Sequence, residues 1–189
     1  MRSNDFNKNL LFGYLACLRL YPNYVFFSQE NNFGNPAILK DYLNSIRTKI
    51  TDPNFKVDFG DYEEVINKIT PTPHEFESVL ASSAMDVCAA IYELIVFIQD
   101  NDLNRIDAIS TLATDSVDMY LQEKEGLEMD DPKFEEKLSF HPLMIRERKT
   151  QRDIWEYLEK VQTIDLEDIA TLEQLQFNKG MGNLDLVLR

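Results

Sequence analysis

The 189-residue chain is short of the residues on which several functional classes depend. Its two cysteines, Cys17 and Cys88, each lie in an apolar run of helical spacing, which supplies neither a disulfide framework nor zinc-ligand spacing and predicts protonated, inert thiols. The two histidines, His74 beside a proline-rich loop and His141 at a helix start, leave no Glu-x-x-His pair for a carboxylate-bridged metal centre. Basic residues number 19 against 33 acids, a net charge of −14, which argues against capture of nucleic acid or of an anionic membrane, because both need clustered positive charge. No apolar run approaches the ~20 residues of a membrane span, since "IYELIVFI" is short and carries Glu93. The opening "MRSNDFNKNLLFGYLACL" holds no signal-peptide block, so the expected localisation is cytoplasmic. Missing as well are a G-x-S-x-G word, a phosphate-cradling glycine loop and, before the last residues, any β-type alternation. No catalytic residue, no metal and no cofactor is expected.

What remains is helix. The 3.6-residue period places Phe6, Leu10, Tyr14 and Leu18 on one stripe, predicting a first helix that ends at Pro22 and a short aromatic turn or helix closed by Gly34. Asn35 and Pro36 open a second helix, and Asp61 with Glu64 reads as the capping box of a third. A fourth starts near Thr72, pauses at Ser82 and Ser83 and runs to about Gln99, while Asp102 caps a fifth that Gly126 stops. "EGLEMDDP" is a linker, a long helix follows Pro142, and "LEDIATLEQLQF" is the last helix. The alternation of Leu184, Leu186 and Leu188 predicts a short extended C-terminal tail. The expected fold is all-α, one domain over residues 1–189, with about seven or eight helices around a central antiparallel hairpin of the fourth and fifth.

Within "SSAMDVCAAIYELIVFI" (82–98), Asp86 is a lone acid among apolar residues. Glu93 follows two turns later, about 10 Å along the same side, with Ala89 and Ala90 between. Such a pair cannot hold a metal alone, because ligand oxygens converge within roughly 5 Å. The expected role of Asp86 is structural, its carboxylate satisfied by hydrogen bonds from a closely packed neighbour. On the fifth helix Asp107, Ser110, Thr111, Thr114 and Asp118 form one polar stripe, read as a solvent face, with a polar groove against Asp86 as the sharper alternative.

Charge is segregated. Residues 115–136 hold nine acids against Lys124 and Lys133, whereas Arg146, Arg148, Lys149 and Arg152 form the one basic island, with Glu147 and Asp153 among them. Pairing of that island with the acidic segment is the expected arrangement; docking of an acidic partner or of a second copy is the alternative.

The words "CLRLYPNYVFF", "NNFGNP", "KVDFGDYEEVINKITP", "SAMDVCAAIYELI", "RDIWEYLE" and "GMGNLDLV" together cover nearly the whole chain, and in them it resembles the YjaG-like family of bacterial proteins of unknown function. The resemblance implies an all-helical domain with no assigned activity, no catalytic residues to carry over, and a weak link to histidine-kinase signalling. Ser82 and Ser83 depart from the aromatic and proline usual at that point of the family. Tyr24 and Phe33, in the "PNY" and "FGNP" words, are expected to pack rather than to bind ligand.

The functional expectation is a non-enzymatic protein acting through contact with a protein partner in regulation or signalling; a small acidic immunity-type protein that binds a basic toxin is one such class. The rival is a ligand-binding protein, metal protein or enzyme with a pocket near Asp86 and Glu93.

Overall fold

The computed structural model describes residues 5–127, 129–176 and 182–186. Among them run eight α-helices and a 3-10 turn at Pro73–Glu75, with no strand: α1 Phe6–Asn31, α2 Pro36–Thr51, α3 Tyr62–Ile69, α4 Ala81–Asp100, α5 Leu103–Glu125, α6 Phe134–Ser139, α7 Pro142–Lys160 and α8 Leu166–Gln176. Local chemistry sets most of these limits. The Asp5 carboxylate accepts from Asn7 N at 2.9 Å and caps α1, Asn35 accepts from Ala37 N at 3.1 Å ahead of Pro36, and Asp102 accepts from Asn104 N at 3.0 Å. Asn32, Asn101 and Gly126 end α1, α4 and α5 in the left-handed conformation. Asp61 starts α3 without a side-chain cap, so the expected capping box is not formed.

α4 and α5 make the central antiparallel hairpin. α1 packs along both, α2 and α8 lie on α1, and α7 lies on α5. Leu11, Leu15, Leu94, Ile95 and Ile109, all fully buried, belong to the core these helices share. α1 and α4 are each long and apolar enough to cross a membrane by length and composition, contrary to the reading of the sequence, yet 78% and 72% of their apolar windows are buried inside the fold. Both cysteines are fully buried, and burial pushes the Cys88 thiol up to about 12.

Pro22 does not end the first helix, which runs nine residues beyond it. A proline removes one helical hydrogen bond and strains the preceding turn at a cost of about 3 kcal/mol. The C-terminal segment meets it there. Asn183 N donates to the Arg19 carbonyl at 3.2 Å, and Gly182 lies so close that a Cβ would stand 2.9 Å from that oxygen and 3.1 Å from the Pro22 ring. All four polar groups of Asn183 are used: its side-chain amide also donates to Ala113 O at 3.1 Å and accepts from Asn23 at 2.9 Å, and its carbonyl accepts from Arg146 at 2.8 Å. The tail thus carries a turn at Asn183 and Leu184; Leu188 lies outside the described residues.

Tyr24 is buried and donates its hydroxyl to Ile69 O at 2.6 Å, while Phe33 packs with Phe27 and Phe76, so both side chains pack as expected. Gly34 has φ +75°, and a Cβ there would meet the Tyr24 hydroxyl at 2.0 Å, so only glycine fits this turn.

Candidate functional site

Asp86 sits on α4 on the side that meets α5, and only 7% of it is exposed. The expected hydrogen bonds are not made: its Oδ2 is buried without a partner. The nearby hydroxyls are committed elsewhere, Ser82 to Glu123 Oε1 at 3.2 Å and Ser83 to Ser116 O at 3.3 Å. Burial, and then the negative charge of Asp115 on α5, raise the pKa of Asp86 to about 7. Asp115 is itself pushed up by desolvation and by Asp118. The site is therefore a carboxylic acid near its midpoint at neutral pH, opposite a second acid.

Met85 precedes Asp86 and is 38% exposed, and Met119, one turn beyond Asp115, is 37% exposed. Ala89, Val96, Ala108 and Leu112 continue the two outward stripes and are only partly buried. The result is an apolar helical face with acid at its centre.

The other predicted site residues are not gathered there. Glu93 takes Arg105 at 2.9 Å where the hairpin turns, so its charge is spent in a partly buried ion pair. Ser110 turns to Gln151 on α7, Thr114 donates back to Thr111 O at 2.7 Å, and Asp118 accepts from Gln122 at 2.8 Å. Thr111 is exposed and Asp107 half-buried. The residue facing Asp86 is Asp115, outside the predicted stripe. The tight turn at Asn101 and Asp102 held the signal that would have found it, because residues about equally far from such a turn stand side by side in an antiparallel pair.

Among the described residues no ion pair joins the basic island to residues 115–136. Arg146 bonds Asp185 and the Asn183 carbonyl, Lys149 bonds Asp153, and Arg152 stands 3.8 Å from Glu156. The register of α7 explains this. Gln151 and Glu147 face α5 and the core, which turns Arg148, Lys149 and Arg152 away from the acidic segment.

The family model described as Protein of unknown function (DUF416) matches residues 5–186, nearly the full chain. The chain belongs to the DUF416 family. An uncharacterized protein YjaG of Escherichia coli K12 is 27% identical over 179 residues, covering 93% of this chain and 89% of that one. An uncharacterized protein of Haemophilus influenzae Rd is 22% identical over 181 residues, covering 95% and 90%. The crystal structure of a DUF416 family protein from Shewanella baltica OS155 superposes with a TM-score of 0.87 at 26% identity, covering 98% of this chain and 95% of that one. The all-helical DUF416 fold is thereby shown.

Among the described residues of this DUF416 chain, no group of three or more His, Cys, Asp or Glu is placed to hold a metal ion. Two polar features went unread in the sequence. Arg19 and Glu147, 4% and 1% exposed at their side chains, form a buried fork of two bonds at 2.8 and 2.6 Å. Gln176 and Gln151 complete it from α8 and from the next turn of α7. The second feature is a slot between α1, α2 and α8, lined by Tyr14, Tyr21, Lys40, Arg47 and Glu173 among others.

Proposed function

We propose that this DUF416 protein works as a binding protein and that the outer face of the α4–α5 hairpin receives a basic segment of a protein partner. The observation that carries the reading is the buried, unpartnered Oδ2 of Asp86 beside the exposed Met85 and Met119. A lysine or arginine reaching the groove between Asp86 and Asp115 supplies the missing donor and favours the ionised form of Asp86, and Met85 and Met119 are adaptable apolar contacts on either side. A net charge of −14 adds long-range attraction for a basic partner. A second copy of this chain is the poorer match, since it would bring the same two acids to the groove.

The test compares proteins retained from lysate by the wild-type chain with those retained by Met85→Arg and by Asp115→Lys, both exposed positions. A protein held at low salt by the wild type and released by both variants supports the reading. Retention unchanged in both, or no protein retained by any, contradicts it.

A further inference from the structure

We propose that the slot between α1, α2 and α8 binds a small organic anion with an aromatic or apolar body, of the aryl carboxylate or aryl phosphate class. The slot has a volume of about 510 Å³, within the ~300–1,000 Å³ usual for small-molecule sites. Its two long walls differ in chemistry. On α1, Leu18 and Pro22 make an apolar floor between the rings of Tyr14 and Tyr21, because these positions recur at helical spacing on one side. On α2, Lys40, Asn44 and Arg47 repeat the same spacing with polar ends.

The polar groups are held in place before any ligand arrives. Glu173 on α8 accepts from Arg47 Nε at 2.9 Å and from the Tyr14 hydroxyl at 3.0 Å, which closes one end and neutralises Arg47. Tyr21 donates its hydroxyl to Pro36 O at 3.2 Å, which fixes its ring as a wall. Lys40 is the exception. Its Nζ stands 5.6 Å from the centre of the Tyr21 ring, and no carboxylate among the described residues pairs with it. An ammonium group beside an aromatic face, in no ion pair among the described residues although the charge of the adjacent Asp41 reaches Tyr21, is where this acidic chain can hold an anion; the exposed Asn44 amide adds a second donor, and the ligand's ring lies along Leu18 and Pro22. This reading does not depend on the α4–α5 face.

Titration calorimetry and thermal melts with 2-naphthoate, phenyl phosphate and the neutral 2-naphthamide test it. The expected result is saturable binding of at least one anion, weaker by about tenfold or more for the amide, and weaker by a similar factor in Lys40→Gln. Asn44→Trp, at an exposed position, keeps the melting midpoint of the unliganded protein and blocks binding. Absence of heat and of a midpoint shift with both anions at millimolar concentration overturns the proposal. So does binding that survives both variants, or binding of the amide as tight as that of the anions.

Discussion

Asp86 on α4 faces Asp115 on α5, and among the described residues no basic side chain pairs with either acid. An acid in that position makes folding and proton binding one event. Below its ordinary value of 3.8 the Asp86 side chain is protonated in both folded and unfolded chains; above about 7 it is ionised in both. Between these limits only the folded chain keeps the proton, so stability falls as pH rises through the window and levels off above it. The loss is on the order of a few kcal/mol. Asp86→Asn removes it, and the variant is expected to melt about 5 °C above wild type at pH 8 with little gain at pH 4. Thermal melts across that range check this, and equal midpoints at pH 8 contradict it.

The buried fork of Arg19 and Glu147 ties α1 to α7. Removing one partner strands a charge where water cannot reach it. Glu147→Ala is expected to cost about 3–5 kcal/mol in urea unfolding. Replacing both residues with leucine is expected to cost less than the two single changes added together, because no charge is then left buried.

Asn183 pins the C-terminal segment beside the proline inside α1. Asn183→Ala leaves the amide of Asn23 with only Ser116 Oγ, at 3.2 Å, and the Ala113 carbonyl without its side-chain donor. About 2–3 kcal/mol of stability is expected to go. Amide hydrogen exchange in the α1 turn around Pro22 is expected to quicken in the same variant, and unchanged protection there contradicts the pinning role.

Elements whose limits are set by neighbours in the chain were legible from sequence. Asn35 before Pro36, Asp102 and Gly126 mark helix ends by their own hydrogen bonds or backbone angles, and the structure keeps each of them. Pro22 was misread because the turn around it is held in the packed interior, with Gly182 and Asn183 against it from about 160 positions away, and no local pattern carries those contacts. Asp86 was legible as a buried acid but not as an unsatisfied one: whether Ser82 and Ser83 bond to it or to Glu123 and Ser116 depends on the helix pairing. The Lys40 slot was hidden for a similar reason, since its two walls are ordinary amphipathic stripes until α1 and α2 are set face to face.

Carbon-13 NMR of the Asp86 side-chain carboxyl, followed through a pH titration of the unliganded chain, reads the central feature directly. The expected apparent pKa is about 7, moving down in Asp115→Asn as the facing charge is removed. A midpoint in the ordinary carboxylate range, unmoved by that substitution, would contradict an uncompensated acid on the α4–α5 face and with it the proposed docking of a basic partner.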